Sequence, residues 1–370
     1  MPIGESVNPP SPIRSHPIEN MPLHGVILAG GRGTRFWPRS RRRKAKQVLA
    51  VMGHETLIQQ TVARLRPVIP PERLWVITNG YLRGEIAQQV PGIPPAQIIA
   101  EPAQRNTAPA IGLAAHLIRR RHPDAIMAVF PADHVITKTS HFHAVLKTAV
   151  QGAAAGSMVV LGMRPRWPET GYGYIQFLKK PPKSRSPKLL PVERFREKPD
   201  LGTAKRFIKS GQHFWNGGMF VWRVSTILQA LERYLPGTAA LLREIAAGEA
   251  LEKLYPQCDN VSIDYAVLEK ARNVMGIPCE IGWSDVGSWN AVYDLMPHDN
   301  SGNAVRGQAW LLDSSNNYVD TGGKLVAAVG VDNLVVVDTP DALLIIRRDR
   351  AQDVTRVVKW LEEQKREDLL

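Results

Sequence analysis

The chain has 370 residues, 44% of them hydrophobic, which is enough for a large domain with a sizeable core and a smaller second domain. Two cysteines without metal-ligand spacing argue against a disulfide framework, and no apolar run reaches the roughly 18 residues of a membrane span. The formal net charge of +13 comes without zinc-finger spacing or an aromatic-interleaved basic helix, so we expect phosphate-bearing small molecules as partners and no nucleic acid.

Residues 1–22 are rich in proline and polar side chains. They lack the apolar stretch of a signal peptide and predict a disordered tail. With few cysteines and no membrane segment, the protein is expected to be cytoplasmic.

The first predicted element is a short apolar strand at 26–29 that runs into a glycine turn at Gly30, Gly31 and Gly33. Consecutive backbone N–H groups in such a turn form an anion-binding nest. All the charged residues that follow the turn up to residue 46 are basic: Arg35, Arg39, Arg41, Arg42, Arg43, Lys44 and Lys46, with Arg32 inside the turn itself. This pattern predicts a nucleotide-phosphate loop at the carboxyl end of a first strand.

A regular alternation of helices and strands follows. Helices are predicted at 55–66, 82–89 and 107–120, and strands at 74–78, 97–100 and 125–130. Such an alternation indicates an α/β fold with a mixed, mostly parallel sheet covered on both faces.

Two segments of this half carry polar groups where chemistry is expected. Arg105, Asn106 and Thr107 lie between a strand and the start of a helix, where free backbone N–H groups favour an anion or a base carbonyl. Asp133 comes just after a buried strand and is a plausible Mg²⁺ ligand, since that ion prefers one or two carboxylates plus phosphate oxygens. Its neighbour His134 is interpreted as structural.

The section 157–222 is less regular and more antiparallel, as expected for an acceptor-binding half. Glycines flanked by tyrosines, around Gly173 and Tyr174, suit a loop that approaches a sugar closely. Further on, Asp264 follows Ser262, a candidate helix cap, so the aspartate is either a capping-turn acid or a site residue. Asp285 lies between small residues beyond a strand predicted at 274–281.

Beyond residue 297 the chain contains short strands separated by turns up to residue 346, and an amphipathic helix is predicted at 351–364. Exposed strand edges need covering, so we expect a homodimer.

The glycine stretch L-A-G-G-R-G-T-R at Leu28–Arg35, continued by Pro38, Ser40 and Lys46, resembles the opening motif of the sugar-1-phosphate nucleotidyltransferases. It does not match a dinucleotide fingerprint, because Phe36 takes the place of the third glycine, nor a Walker loop. One residue departs from the family, Ala45 in place of the usual proline. The segment E-P-A-Q-R-N-T-A-P is similar to the one that holds the nucleotide in mannose-1-phosphate guanylyltransferases.

The resemblance implies a fold and a set of site residues. The fold is a Rossmann-like nucleotidyltransferase domain at 23–297, followed at 298–370 by a short left-handed parallel β-helix and a closing helix. Catalytic roles fall to Lys46, Arg35 and Asp133, and Mg²⁺ would be held by Asp133 and Asp285. The nucleotide would be bound by Leu28, Ala29, Gly30, Gly31, Gly33, Thr34, Arg105, Asn106 and Thr107. The sugar phosphate would be bound by Gly173, Tyr174, Glu197, Lys198, Asn216, Gly217 and Asp264.

The implied activity is transfer of GMP from GTP to mannose 1-phosphate, giving GDP-mannose and pyrophosphate. Alternatives are a uridylyl- or thymidylyltransferase acting on glucose 1-phosphate and a catalytically silent subunit that senses a sugar nucleotide. The stretch after the β-helix is too short for the fused isomerase domain of some relatives, so no isomerase activity is expected.

Overall fold

The computed structural model describes residues 21–31, 33–182 and 186–370. The predicted tail, apart from its last two residues, and Arg32 lie outside this part. The strands are β1 (Leu23–Leu28), β2 (Leu74–Asn79), β3 (Ile98–Glu101), β4 (Ile126–Pro131), β5 (Val135–Ile136), β6 (Met158–Met163), β7 (Tyr174–Phe177), β8 (Leu190–Arg196), β9 (His213–Arg223), β10 (Val274–Cys279), β11 (Trp283–Ser284), β12 (Ala304–Leu312), β13 (Tyr318–Val329), β14 (Leu334–Asp338) and β15 (Leu343–Arg347). The helices are α1 (Leu57–Leu65), α2 (Arg83–Gln89), α3 (Thr107–Arg121), α4 (Thr139–Ala154), α5 (Leu201–Ser210), α6 (Val224–Tyr234), α7 (Pro236–Ala247), α8 (Leu251–Leu254), α9 (Trp289–Leu295) and α10 (Val354–Glu363).

A nine-stranded sheet with the order β3-β2-β1-β4-β9-β6-β10-β8-β7 forms the centre of the molecule. Strands β1, β2, β4 and β6 are almost continuously apolar and buried, as expected for strands covered on both faces. The chain leaves β1 toward β2 on one side, and β4 pairs with β1 on the other. This reversal of strand order opens a crevice between the carboxyl ends of β1 and β4, where ligands bind in such sheets.

The predicted mixed sheet is confirmed, but its parallel pairing is limited to β3-β2-β1-β4 and to β6 with β10. Strand β9 runs antiparallel between β4 and β6, and β7 and β8 form an antiparallel pair at the edge. Antiparallel neighbours need no helical crossover. The acceptor half can therefore be built from strands and loops that fold back on one another.

The C-terminal domain is a four-stranded sheet in which β12, β13 and β14 run parallel and β15 pairs antiparallel with β14. Asparagines at equivalent corners link successive turns. The side-chain oxygen of Asn303 accepts from the amide N–H of Asn317 at 3.0 Å, and that of Asn317 accepts from the N–H of Leu334 at 2.9 Å. These stacked parallel strands are β-helix-like, as predicted, while the left-handed sense stays a prediction.

The two domains share a hydrophobic cluster. Phe36 and Trp37, which follow the glycine turn, pack with Trp289, Tyr318 and α10. The C-terminal domain thus lies directly behind the loop that the sequence marks for phosphate binding. Within the ranges given above, no helix is both long and apolar enough to cross a membrane.

Candidate active site at the ends of β1 and β4

The glycine loop is fixed by close backbone contacts. Gly33 has φ of 63°, and a Cβ at this position would lie 2.7 Å from the backbone nitrogen of Lys46, so only glycine fits. The buried amide of Gln47 donates to the carbonyls of Ala29 at 2.7 Å and Gly31 at 3.1 Å. Sequence reasoning missed Gln47, although a polar residue directly after the predicted lysine was a signal.

Lys46 lies at the centre of the site. Its side-chain nitrogen Nζ donates to Asp133 Oδ2 at 2.8 Å and to the backbone carbonyl of Asp285 at 2.5 Å. The hydroxyl of Tyr172 donates to Asp285 Oδ1 at 2.5 Å. Three predicted residues that are far apart in the sequence therefore meet at one point, and Tyr172, which was not predicted, orients one of the two carboxylates.

The electrostatics of this group follow from its pairing. Burial alone would raise the pKa of Asp133, but the charge and hydrogen bond of Lys46 outweigh it and hold this pKa below its usual value. Burial lowers the pKa of the neighbouring His134, whose Nδ1 accepts a hydrogen bond from the indole of Trp283 at 3.1 Å. The histidine is thus held neutral among aromatic rings, which agrees with a structural role.

The donor set fits a magnesium ion. Asp133 presents a carboxylate oxygen to the Lys46 ammonium, and Asp285 presents its backbone carbonyl there while its carboxylate accepts from Tyr172. Oxygens of these kinds are the ligands that Mg²⁺ prefers. Among the residues that the structure describes, no cluster of three or more His, Cys, Asp and Glu side chains forms a closed metal cage. An ion at this place would need further oxygens from a ligand such as a phosphate chain.

A cavity of about 640 Å³ lies beside this group. Predicted nucleotide-binding residues occur on two of its walls, with Leu28, Gly30 and Gly31 from the glycine loop and Arg105, Asn106 and Thr107 from the start of α3. The Asn106 side chain accepts from the N–H of Thr107 at 2.9 Å, and the Thr107 hydroxyl accepts from the N–H of Ile263 at 2.9 Å. These contacts fix the helix N-terminus against the 261–264 segment.

Two other predicted nucleotide residues lie elsewhere. Ala29 is buried, and its carbonyl already accepts hydrogen bonds from Gln47 and Thr78, so it supports the loop from behind. Thr34 lines a separate crevice between the loop and α10.

Glu101 is a cavity residue that sequence reasoning did not single out. Burial raises its pKa to about 7, although the hydroxyl of Tyr255 donates a hydrogen bond to Oε1. The signal was an acid at the end of a predicted strand, directly before the R-N-T segment.

A second group of predicted residues meets on the far side of the cavity. The amide of Asn216 donates to Asp264 Oδ1 at 2.7 Å, and its backbone N–H donates to the carbonyl of Gly173 at 2.8 Å. A Cβ on Gly173 would collide with Oε2 of Glu197. Gly173, Glu197, Asn216 and Asp264 therefore form one corner, and the position of Asp264 on the cavity wall favours its interpretation as a site residue.

The acids of this corner differ from Asp133. Burial and the nearby charge of Asp264 raise the pKa of Glu197 to about 7, against a smaller opposing effect of Lys198. Burial raises the pKa of Asp264 to about 6, although Asn216 donates to it. Neither carboxylate is in contact with a cation among the contacts that the structure describes.

Two predictions for the sugar side, those for Tyr174 and Gly217, need correction. The ring of Tyr174 is fully buried, packs on Phe207 and donates its hydroxyl to the carbonyl of Glu169, so it has no surface for a sugar. Tyr172, two residues earlier, faces the site in its place. The space that Gly217 leaves is filled by Met163, whose Cε would lie 2.6 Å from a Cβ there. The role expected of Lys198 stays a prediction: its side chain is exposed, and its backbone N–H donates to the carbonyl of Tyr172 at 3.3 Å.

The sequence predicts that the basic residues after the glycine turn serve phosphate binding, but in the structure they fall into two groups. Arg35 is exposed, and its charge acts on Tyr172 beside the site. Three of the other arginines instead pair with acids of the C-terminal domain: Arg39 with Asp320, Arg41 with Asp341 and Arg42 with Glu367. The charges of these three arginines are therefore already neutralised within the protein. The sequence could not show this, because a basic run does not reveal which acids fold against it.

Comparisons with known proteins agree with this arrangement. Residues 24–302 match the family model described as nucleotidyl transferase, and residues 307–361 match that of the MannoseP isomerase/GMP-like beta-helix domain. The chain is 39% identical over 356 residues to mannose-1-phosphate guanylyltransferase of Klebsiella pneumoniae, covering 93% of this chain and 74% of that protein. It is also 39% identical to the alginate biosynthesis protein AlgA of Pseudomonas syringae pv. tomato, covering 92% and 72% of the two chains.

Among solved structures, one from Thermus thermophilus, described as a mannose-1-phosphate geranyltransferase, superposes with a TM-score of 0.85 at 34% identity. The match covers 92% of this chain and 100% of that one. Both domains and their arrangement are therefore shared with a protein of known structure.

Proposed function

The chain belongs to the nucleotidyltransferase family, and from that premise we propose that it transfers GMP from GTP to mannose 1-phosphate, forming GDP-mannose and releasing pyrophosphate. The observation that carries the proposal is the meeting of Lys46, Asp133 and Asp285 beside the cavity formed by the glycine loop and α3. The relatives named above include a mannose-1-phosphate guanylyltransferase, and this similarity is the reason for proposing GTP and mannose 1-phosphate as the substrates.

In the proposed reaction an oxygen of the sugar phosphate attacks the α-phosphorus of GTP. A new P–O bond forms as the bond between the α-phosphorus and its β-bridging oxygen breaks, and the electron pair leaves with pyrophosphate. The attacking phosphate is already anionic, so the protein need not supply a nucleophile or a general base. Its task is to bring two anions together, which requires fixed positive charge.

This chain's residues divide that task. Lys46 provides a buried ammonium beside the reacting phosphates, and Arg35 with the glycine-loop N–H groups binds the departing pyrophosphate. On the acceptor side, Glu197 and Asn216 accept and donate hydrogen bonds to sugar hydroxyls, and Lys198 binds the sugar phosphate. Mg²⁺, held by Asp133 and Asp285, would supply charge neutralisation of the phosphate chain when bound.

Three further properties are part of the proposal. The protein is cytoplasmic, and the left-handed β-helix contributes to a homodimer. Support for the dimer comes from Trp310, Leu325 and Ile345, large apolar side chains on the C-terminal sheet that are 55%, 65% and 61% exposed.

The test is a pyrophosphate-release assay over GTP, UTP, dTTP and ATP, each combined with mannose 1-phosphate or glucose 1-phosphate, with and without Mg²⁺. We expect turnover to be highest with GTP and mannose 1-phosphate and to require the metal. Preference for UTP or dTTP with glucose 1-phosphate would identify a uridylyl- or thymidylyltransferase. Binding of GDP-mannose without turnover of any pair would identify a sensing subunit.

A further inference from the structure

A buried ion pair connects the glycine loop to the C-terminal domain. Arg39, four residues after Arg35, donates to the carboxylate of Asp320 on β13, with Nε at 3.1 Å and Nη2 at 2.5 Å. The Asp320 side chain is completely buried, and Arg306 lies 3.9 Å from its second oxygen. A two-point contact of this kind fixes orientation as well as distance.

This pair is a poor source of fold stability. Burial raises the pKa of Asp320 even though Arg39 and Arg306 act against that rise. Burying the carboxylate therefore carries a desolvation cost, and buried ion pairs often add no net stability over apolar side chains. A role in fixing the position of the loop accounts better for its presence.

Aromatic rings connect the same strand to Lys46. The ammonium of Lys46 lies 5.5 Å from the centre of the Phe36 ring, and Phe36 packs edge-on against Trp289 at 5.0 Å. Trp289 stacks on Tyr318 at 5.8 Å, and Tyr318 is two residues before Asp320 on β13. The indole of Trp289 also donates to the carbonyl of Trp37 at 3.1 Å. The loop is therefore held at several points by one face of the C-terminal domain.

We propose that Asp320 and Arg39 are positioning residues for the triphosphate site, so that the C-terminal domain sets the placement of the glycine loop and of Lys46. Neither residue touches substrate; they act through the loop. The inference deepens the proposed function and rests on it for the identity of the ligand, a nucleoside triphosphate.

Asp338 offers a matched control. It is a buried acid on the adjacent strand β14, 4% exposed, and its partner is Lys324 at 2.9 Å on the same sheet. Both acids are buried on neighbouring strands of the C-terminal sheet, but the ion pair of Asp338 is internal to that sheet, whereas that of Asp320 reaches the glycine loop. Comparing Asp320→Asn with Asp338→Asn separates the effect on the loop from a general loss of stability.

We expect Asp320→Asn to raise KM for GTP, and for pyrophosphate in the reverse reaction, by about tenfold or more, since small misplacements of binding groups are costly. KM for mannose 1-phosphate should stay within about twofold, because Glu197, Asn216 and Asp264, where the sugar is proposed to bind, do not belong to the loop that Arg39 holds. Asp338→Asn should leave all three constants unchanged even where both variants melt at the same lower temperature. Equal effects of the two substitutions on KM for GTP would overturn the inference.

A double-mutant cycle provides the second measurement. Arg39→Gln combined with Asp320→Asn should weaken GTP binding no more than either single change, because both substitutions remove the same contact. Fully additive losses would contradict the pairing. If Asp320→Asn does not fold, Arg39→Lys keeps the charge and removes the two-point contact, and it should still raise KM for GTP. Unchanged KM in that variant would also overturn the inference.

The two proposals fail in different ways. A wild-type protein that releases no pyrophosphate from any nucleotide contradicts the proposed function. The positioning role is then still measurable from the dissociation constants of GTP for Asp320→Asn and Asp338→Asn. Equal dissociation constants for the two variants would count against it.

Discussion

The two sides of the cleft hold their charges in opposite ways. In the phosphate corner, formed by Lys46, Asp133 and Asp285, the acid Asp133 is in contact with an ammonium, and its pKa is lowered. In the sugar corner, formed by Gly173, Glu197, Asn216 and Asp264, the acids are partly buried and make no ion pair among the contacts that the structure describes, and their pKa values are raised to about 7 and about 6. The first corner pairs its acid with a fixed cation, and the second holds its acids without one.

In the proposed reaction, this difference would distinguish the phosphate end of the acceptor from its sugar end. A phosphate would be attracted to the corner where the Lys46 ammonium is held in place. Sugar hydroxyls are donors, and a desolvated carboxylate is a strong acceptor for them. The same residue type, a carboxylic acid, therefore serves two roles that its surroundings decide.

The largest expected effect is that of removing the cation from the phosphate corner. Lys46→Met keeps most of the length of the side chain but removes the charge, so kcat should fall by about 10²–10³. Asp133→Asn should reduce kcat similarly. Steady-state pyrophosphate release, together with a melting curve to show folding, measures this. Lys44→Met, an exposed lysine on the same loop, is the control and should retain full activity; normal kcat in Lys46→Met would contradict the assignment.

A smaller effect, of a different kind, is expected in the sugar corner. Glu197→Gln keeps the shape but exchanges a charged acceptor for a neutral one, so KM for mannose 1-phosphate should rise by about tenfold. KM for GTP should not change. The control is Glu193→Gln on β8, the strand that ends one residue before Glu197; Glu193 is an exposed acid whose contact is Gln176 at 2.8 Å. An increase in KM for GTP as large as that for the sugar phosphate would remove the distinction between the corners.

The phosphate side could be located from the sequence because its residues follow local rules. A strand, a glycine turn and a lysine form a contiguous pattern, and Gly33 is required by a backbone angle that the local sequence already suggests. The helix α3 was predicted to within one residue, since a polar N-terminus and an apolar face mark it. Asp133 likewise follows a strand that is visible as an apolar run.

Other features depend on residues distant in the sequence and could not be predicted in this way. The burial of Tyr174 follows from the packing of α5 on β7, which no local pattern reveals. The helix expected around Ser262 is a short π-helical turn at Asp264–Leu268, fitted to the start of α3. The pairing of Arg39 with Asp320 joins residues 281 positions apart, so a basic run was interpreted as phosphate binding.

The smallest effect, and the one most specific to the contrast between the corners, is the pH dependence of folding stability. Glu197 has a pKa of about 7 in the folded protein against an ordinary value of 4.5, so the native state binds the extra proton between these pH values. Stability from this group is therefore lost as pH rises from about 4.5 to 7. Glu197→Gln should melt at a higher temperature than wild type at pH 8, and the difference should vanish below pH 4.5.

Asp133 should behave in the opposite sense. Its pKa is lowered in the folded state, so it contributes stability above its unfolded pKa and loses it as pH falls through the lower folded value. Asp133→Asn should thus melt below wild type at pH 8, where Glu197→Gln melts above it. Melting curves of the three proteins without ligand, at pH 8 and pH 4, measure both signs free of any ionisation of substrate. Destabilisation by both substitutions at pH 8 would mean that Glu197 is stabilised by a cation, and the two corners would then share one kind of electrostatics.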